Sequence, residues 1–481
     1  RREVDARDVG DRGIRRRAAG VVSVVAVIAL ALTACLPGSG PIPPSTGTGE
    51  QVAEALQPYY GQTVEWAWCG AMQCATVTAP LDWDAPAPAD DIELALVRQP
   101  ATGGDPIGTL FVNPGGPGAS GVDFIAGGID YAVGDDLQRR FDVVGFDPRG
   151  VGASTAVDCG PASVLDEYLY GIPDAEFGSD AWIAGIGDAA AAFGASCLEH
   201  SGALLAEVDT ASAARDLDLL RAVLGDERLN YLGYSYGTLL GAVYADLFPQ
   251  NTGRLVLDGA IDPVASDVDM SVAQAQGFER AFDAYAAWCL EQGQCPFSGS
   301  VQDARDEVAD LLAAVAASPL RAQDGRDVGS ATMFIAIIVP LYNEGAWPQL
   351  SQLFTASLRG DPSVALALAD QYNARGADGE YDSNIIEAFT SVFCLDERSD
   401  ASLPAVRAEE ERIIEAAPLF GQWMAYGAVT CAPWPVPAVR DRVPIVAEGA
   451  ADILVIGATR DPATAYEWGV TVDPVTPGLT S

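Results

Sequence analysis

The chain has 481 residues, with 27 basic and 67 acidic side chains, a formal net charge of −40 and a single histidine. About half of the residues are apolar, which excludes an intrinsically disordered chain and provides material for a large hydrophobic core. The acidic balance argues against a nucleic-acid partner, because phosphate binding needs clustered cations, and one histidine excludes a multi-histidine metal site. We therefore expect an acidic globular protein with no metal ion or organic cofactor.

The N-terminus has the pattern of an export signal. Three arginines at residues 15–17 precede an apolar stretch, residues 18–32, that is short for a membrane-spanning helix. The stretch leads into Leu-Thr-Ala-Cys at residues 32–35, which resembles a bacterial lipoprotein box. We predict that residues 1–35 are a signal segment and that Cys35 is lipidated, which places the protein on the outer face of the cell membrane. The alternative is an ordinary cleaved signal and a secreted protein.

A Pro/Gly/Ser-rich segment follows the proposed lipidation site. Residues 36–50 lack the apolar side chains needed to build a core, so they are predicted to be a tether.

The remaining eight cysteines support export, because an even number of cysteines in an exported chain indicates disulfides. A zinc site is disfavoured by the absence of paired CxxC motifs, and buried free thiols are the other alternative. We predict that each cysteine pairs with its neighbour in the sequence, as Cys69–Cys74, Cys159–Cys197, Cys289–Cys295 and Cys394–Cys431.

Short apolar runs alternate with helical patterns as far as about residue 262, and the alternation returns near residue 445. The nearly continuous hydrophobicity of these runs indicates strands that are buried on both faces of a mostly parallel sheet. Residues 210–224 form an amphipathic helical pattern, with Asp209 or Thr210 as its cap. The predicted strands are residues 92–97, 108–112, 141–146, 229–232, 254–257 and 453–456.

The intervening residues have helical patterns, notably at 272–290, 304–316 and 333–341. We predict an α/β protein in which a helical cap is inserted between late strands of the sheet. The predicted divisions are a first part of the core at 51–262, the cap at 263–444 and an incomplete second part of the core at 445–481.

A GYSYG motif at residues 233–237 lies between a predicted strand and a predicted helix, residues 238–248. This is the context of a nucleophile elbow, in which a tight turn presents the serine oxygen, here that of Ser235. The alternative is a glycine-rich turn with an ordinary surface serine.

The sequence NPGGPG at residues 113–118 directly follows another predicted strand. Such a loop leaves backbone N–H groups free to face a developing oxyanion, together with the N–H of Tyr236. Phosphate binding is the competing interpretation, but the lysine and hydroxyl of a Walker motif are missing. The third interpretation of this loop is a simple turn.

Two further motifs end strands. In GFDPRG at residues 145–150 we expect Arg149 to form a buried ion pair and the motif to shape the floor of the pocket, without a catalytic role. In GATRDP at residues 457–462, Asp461 is placed to orient an imidazolium, with Asp258 as the second choice.

Taken in order, GGPG, GFDPRG, LNYLGYSYGT, VLDGAIDP and TRDPATAYEW resemble the secreted tripeptidyl aminopeptidase branch of the α/β hydrolases, related to prolyl aminopeptidases. The similarity runs from about residue 64 to residue 468. It implies an α/β-hydrolase fold with a cap over the site, and a serine exopeptidase that removes short peptides from free N-termini. By the matching motifs, Ser235 is the nucleophile, Gly116 and Tyr236 supply the oxyanion-hole N–H groups, and Asp461 is the triad acid.

The chain departs from the family pattern after Asp461. The family's histidine lies beyond the acid, whereas none of the 20 residues that follow Asp461 is histidine. We expect the last helix and strand of the sheet to be missing, as in a shortened or frameshifted reading frame. His200 precedes the elbow, and we expect it in a disulfide-tied surface loop rather than as the base.

Two hypotheses about function follow. The first is a lipid-anchored serine peptidase, for which esterase activity is a variant of the same chemistry. The second is a catalytically dead relative that binds peptides, or an unstable truncated product. An exopeptidase needs an anion for the α-ammonium group of the peptide, and Glu344 and other cap carboxylates are candidates among which the sequence does not choose.

Overall fold

The structure is a computed structural model that describes residues 42–439, 442–475 and 479–480. Its strands in chain order are β1 (Ala67–Cys69), β2 (Met72–Ala79), β3 (Ile92–Gln99), β4 (Thr109–Asn113), β5 (Asp142–Phe146), β6 (Leu229–Tyr234), β7 (Thr252–Asp258), β8 (Leu320–Arg321), β9 (Asp327–Val328), β10 (Ile453–Ile456) and β11 (Leu479–Thr480). Nine of them form one sheet in the order β1-β2-β3-β5-β4-β6-β7-β10-β11, while β8 and β9 form a separate hairpin.

The sheet is mostly parallel, as predicted. Neighbouring strands from β5 through β4, β6, β7 and β10 to β11 pair in parallel. The pairs β1–β2, β2–β3 and β3–β5 are antiparallel. All six predicted strands are present, and the sequence analysis missed the antiparallel hairpin of β1 and β2 at one edge.

The helices cover both sides of the sheet and fill the interval between β7 and β10. They are α1 (Gln57–Tyr60), α2 (Gly121–Ala132), α3 (Asp135–Gln138), α4 (Ala162–Tyr170), α5 (Asp180–Ser201), α6 (Thr210–Leu224), α7 (Tyr236–Leu247), α8 (Asp267–Leu290), α9 (Val301–Ala317), α10 (Ser330–Ile338), α11 (Trp347–Ser357), α12 (Ser363–Tyr372), α13 (Ile385–Asp396), α14 (Leu403–Ala416), α15 (Gly421–Met424), α16 (Gly427–Cys431) and α17 (Tyr466–Val475).

Helix α6 shows why these sequences form these elements. Asp209 caps it by accepting hydrogen bonds from the N–H groups of Ala211 and Ser212, and Gly225 ends it in the left-handed conformation. Leu217 and Leu220 of its apolar stripe are fully buried. The helix has the predicted bounds and the predicted cap.

The hydrophobic residues form two large clusters. The first packs the sheet against its helices, and the second lies within α8–α12 and the segment around Phe420. A smaller cluster joins Ile183 of α5 to Val406, Ile413 and Val429 of the later helices. A helix that precedes the elbow therefore packs with helices of the predicted cap, and the cap boundaries at 263 and 444 stay a prediction.

All four predicted disulfides are confirmed: Cys69–Cys74, Cys159–Cys197, Cys289–Cys295 and Cys394–Cys431 are bonded. Among the described residues, 180–206 form the one helical segment long and apolar enough to cross a membrane. Its Phe193 and Cys197 are buried in the main core.

The structure differs from the sequence-based predictions in two segments, residues 42–50 and the residues after Asp461. Residues 42–50, predicted as part of the tether, dock on the core: Ser45 pairs with Val64, and the Thr48 N–H donates to the Ala222 carbonyl at 2.9 Å. Beyond Asp461, where no helix or strand was expected, α17 forms and β11 pairs with β10. Backbone hydrogen bonds hold both segments, and composition alone does not reveal such bonds.

Candidate active site

Ser235 occupies a sharp turn between β6 and α7. Its backbone has φ of 53° and ψ of −122°, a conformation that side chains other than glycine rarely adopt. A Cβ on Gly233 would lie 2.4 Å from the Gly237 carbonyl oxygen, so the turn requires glycine at that position. The Ser235 side chain is partly exposed at the start of α7. This is the geometry of a nucleophile elbow.

Neighbouring residues fix the turn from both sides. The Ser235 N–H donates to the Asp258 carbonyl at 3.0 Å, which ties the turn to the end of β7. The Thr238 hydroxyl donates to the Ser235 carbonyl at 2.6 Å and accepts the Ile261 N–H at 3.0 Å. The Tyr236 hydroxyl is hydrogen-bonded to Thr210 at 2.5 Å. The serine is therefore held by its backbone while its hydroxyl stays available.

The glycine-rich loop lies directly against the elbow. A Cβ on Gly115 would be 2.5 Å from the Tyr234 carbonyl oxygen and 3.0 Å from the Tyr236 nitrogen. The buried Asn113 side chain holds the loop by accepting the Gly115 N–H at 2.9 Å. Gly116 has φ of 106°. The two segments predicted to form an oxyanion hole are thus adjacent, although Gly116 and Tyr236 remain predictions as its donors.

Asp461 lies beside the end of β7, close to the elbow. Its Oδ1 accepts the N–H groups of Ala463 and Thr464 at 2.9 and 2.8 Å, and its Oδ2 accepts the Thr464 hydroxyl at 2.8 Å. A Cβ on Gly259 would be 3.8 Å from Oδ2. The carboxylate is therefore fixed at the same edge of the sheet as Ser235, and its role as the triad acid stays a prediction.

Asp258, the second candidate for the acid, is also half-buried at this edge. Burial raises the pKa of its carboxyl, and the negative charge of Asp461 raises it further, while the Gly259 N–H opposes the shift. Of the two carboxyls, Asp461 has the larger set of hydrogen bonds to its carboxylate oxygens.

The inserted helices contact the site loops from two directions. On α8, Gln274 donates to the Ala463 carbonyl at 2.9 Å, and a Cβ on Gly277 would lie 2.5 Å from the Pro462 carbonyl oxygen. On the other side, a Cβ on Gly118 would be 2.5 Å from the Ile385 carbonyl oxygen of α13. The helices between β7 and β10 therefore adjoin both the acid loop and the glycine-rich loop.

The GFDPRG motif fixes the segment that follows the glycine-rich loop. Arg149 and Asp216 form the expected buried ion pair at 2.7 Å, with neither side chain more than 1% exposed. Asp147 accepts the Ser120 hydroxyl at 2.6 Å and the Val122 N–H at 3.0 Å, which anchors the start of α2 after the glycine-rich loop. Burial raises the pKa of Asp147, and these hydrogen bonds oppose the shift.

His200 lies on the last turn of α5, so the expectation of a surface loop was wrong. Its ring is exposed, with Nδ1 2.8 Å from the Ser196 carbonyl oxygen, and it rests against Gly160. No hydrogen bond in the described part of the chain joins it to Ser235 or Asp461. The structure therefore brings Ser235 and Asp461 to one edge of the sheet but gives His200 other contacts.

Sequence reasoning missed the residues that hold the functional groups in place. Asn113, Thr238 and Thr464 each accept or donate the bonds that position Gly115, Ser235 and Asp461. For Thr464 a local signal existed, since the Asp-Pro pair at residues 461–462 favours a turn in which the aspartate side chain bonds the backbone that follows. Cys35 lies outside the described residues, and within them no group of three or more His, Cys, Asp or Glu is placed to hold a metal ion.

Comparisons with known proteins agree with this geometry. Residues 108–464 match the family described as alpha/beta hydrolase fold. The serine protease Hip1 of Mycobacterium tuberculosis is 35% identical over 443 residues, covering 87% of this chain and 84% of the relative. Carboxylesterase B of the same organism is 38% identical over 408 residues, covering 83% and 77%. Tripeptidyl aminopeptidase of Streptomyces lividans is 32% identical over 427 residues, covering 85% and 77%.

Proposed function

The chain belongs to the α/β-hydrolase family, in the branch that contains tripeptidyl aminopeptidase, and we propose that this serine hydrolase is an exported exopeptidase acting through Ser235. The observation that carries the proposal is the contact between the strained turn at Ser235 and the backbone of Gly115. This contact puts a nucleophile next to a loop of backbone N–H groups, which is what acyl transfer needs.

In the proposed reaction, the Ser235 hydroxyl oxygen attacks the carbonyl carbon of the substrate. The resulting oxyanion receives hydrogen bonds from the N–H groups of Gly116 and Tyr236, and collapse of the intermediate expels the leaving amine or alcohol. Water then hydrolyses the acyl-enzyme. Asp461 orients and charge-stabilises the base that takes the serine proton. We assign that base to no described residue, because His200 contacts Ser196 and Gly160 instead.

Export is part of the proposal. Four disulfides suit an oxidising compartment, and the lipoprotein-like box at Cys35 suggests anchoring to the outer face of the membrane. The peptide specificity rests on the resemblance to tripeptidyl aminopeptidase. Because the α-ammonium group of such a substrate needs an anion, we include a cap carboxylate, with the exposed Glu344 as one candidate.

The placement of His200 favours a second candidate function, a lipoprotein that binds peptides without turning them over. A fluorophosphonate probe separates the two, since it reacts only with an activated serine. We expect Ser235 of the purified chain to be labelled and the Ser235→Ala variant to remain unlabelled. Absence of label on the unmodified chain would overturn the hydrolase proposal for this sequence, and saturable peptide binding would then support the second function.

Substrate class is tested with fluorogenic tripeptide amides that have a free or an acetylated N-terminus, alongside a p-nitrophenyl ester. An exopeptidase should hydrolyse the free peptide and reject the acetylated one. Hydrolysis of the ester alone would contradict the peptidase assignment and leave an esterase.

A further inference from the structure

The first residues that the structure describes are packed on the sheet and on helix α6. We name residues 42–60 the strap. Ser45 and Val64 exchange backbone hydrogen bonds at 2.9 and 3.2 Å, and the Thr48 N–H donates to the Ala222 carbonyl at 2.9 Å. A Cβ on Gly47 would lie 3.1 Å from that same carbonyl oxygen. The strap backbone therefore lies in close contact with the C-terminal end of α6.

Buried side chains strengthen this attachment. Arg221, 1% exposed, bonds Glu50 of the strap at 2.5 Å and Asp218 at 2.8 Å. The Tyr60 hydroxyl at the end of the strap also donates to Asp218, at 3.0 Å. Because a buried charged hydrogen bond is costly to break, releasing Glu50 from Arg221 is unfavourable even though Arg221 keeps its bond to Asp218. The strap is part of the folded unit rather than a free linker.

Residues 45–50 of the strap lie at the end of the sheet opposite Ser235, whereas Tyr59 near the other end of the strap donates to Asp91, beside the start of the antiparallel β3, at 2.6 Å. Helix α6 ends one short turn before β6 begins, and Asp226 in that turn accepts the N–H of Thr109, the first residue of β4, at 3.2 Å. Residues 45–50 thus adjoin the starts of β4 and β6. Ser235 follows the last residue of β6, so the six residues of that strand, about 20 Å in length, separate the two ends.

From this arrangement we infer that the end of the sheet held by residues 45–50, the strap end, faces the bilayer and that the end with Ser235 faces away from it. The inference rests on the proposed lipidation of Cys35. Six residues lie between Cys35 and Ile42, and such a chain spans at most about 25 Å when fully extended. A net charge of −40 gives no attraction to an anionic leaflet, so the anchor rather than surface charge sets the orientation.

This orientation determines which substrates reach the serine. A site turned away from the bilayer receives the N-termini of soluble or extended polypeptides from the aqueous side. An ester whose acyl chain is embedded in the same membrane would have to cross the length of the protein.

The test uses the acylated full chain in phosphatidylcholine vesicles that contain a rhodamine-headgroup lipid as energy acceptor. A p-azidophenylalanine that carries the donor fluorophore replaces either the exposed Glu227, at the strap end, or the half-exposed Tyr342, near Asp461. Energy transfer should be several-fold more efficient from position 227. Equal or reversed efficiencies would overturn the orientation.

The strap itself is tested by Gly47→Val combined with Glu50→Ala, with Gln51→Ala as the exposed control. Release of the strap should reduce the difference between the two donor positions, whereas the control should retain it. An unchanged difference after release would also overturn the inference. Mass spectrometry shows whether Cys35 is acylated. An unacylated Cys35 would overturn both the lipid anchor and the orientation. Fluorophosphonate labelling of Ser235 tests the proposed activity independently of the anchor.

Discussion

At the scale of single residues, the site depends on backbone atoms coming close together. Gly115 touches the carbonyl of Tyr234 and the nitrogen of Tyr236, and no larger residue fits this gap without moving one of the two segments. The same loop contains Gly116 and Gly118, which also have positive φ. A position where both space and φ require glycine is therefore sensitive to a single methyl group.

We expect Gly115→Ala to slow fluorophosphonate labelling of Ser235 about 100-fold or more, the cost of losing one oxyanion donor. The matched control is Gly104→Ala, since Gly104 has φ of 98° against 95° for Gly115 but no atom within 4 Å of an added Cβ. Both variants should lose about 1–2 kcal/mol of unfolding free energy from the left-handed conformation. Equal labelling rates for the two variants would show that close packing of the loop on the elbow is unimportant.

At the scale of elements, helix α13 connects several loops around the site. Asn384, just before it, donates to the carbonyls of Gly150 and Val157, both at 2.9 Å. Glu387 in its first turn accepts the Cys159 N–H at 3.2 Å. Burial raises the pKa of Glu387 to about 7, opposed by this hydrogen bond and assisted by the charge of Asp158.

The raised pKa predicts how stability varies with pH. Because the folded state binds this proton more tightly than the unfolded chain, the contribution of Glu387 is fully present below about pH 4.5 and is lost as pH rises through about 7. Glu387→Gln keeps an acceptor for the Cys159 N–H and removes the titration. In urea unfolding between about pH 5 and pH 8, the variant should therefore lose less stability than the unmodified protein.

The exposed Glu199→Gln provides the control for this pH series. Its unfolding free energy should follow that of the unmodified protein at every pH. If the unfolding free energy of Glu387→Gln also equals that of the unmodified protein at every pH, protonation of the buried Glu387 is not linked to folding.

The sequence predicted those elements that have a strong local pattern. Helix α6 was predicted with its bounds because Asp209 caps it and one stripe is apolar, and the elbow at Ser235 because its glycines have a defined spacing. Strand β2 was missed because small and polar residues such as Gln73 alternate with few large apolar ones. The docking of residues 42–50 was missed because it depends on contacts with Arg221 and Ala222, which are distant in the sequence.

At the scale of the whole molecule, the acidic side chains far outnumber the basic ones, 67 against 27. Residues 1–34 contain seven arginines and four acidic residues, so the rest of the chain has a formal charge of −40 − 3 = −43. Several pairs, such as Arg149–Asp216, are buried and therefore little affected by salt. The long-range repulsion among the remaining carboxylates is the component that salt can screen.

We expect the melting temperature at pH 8 to rise when the NaCl concentration increases from about 0.01 to about 0.1 M, because the Debye length falls from about 30 to about 10 Å. Near the isoelectric point of about 4.1 the effect should be much smaller, which separates screening from general salt effects. A melting temperature that falls with salt at pH 8 would mean that attractive surface pairs dominate over repulsion.

The disulfide pattern has a consequence for biogenesis. Each of the four bonds joins cysteines that are consecutive among the eight described, at separations of 5, 38, 6 and 37 residues. A chain that crosses a membrane N-terminus first presents each thiol to its native partner before the next cysteine emerges. If the chain is exported as proposed, oxidation during translocation yields the native connectivity directly, without a need for a disulfide isomerase.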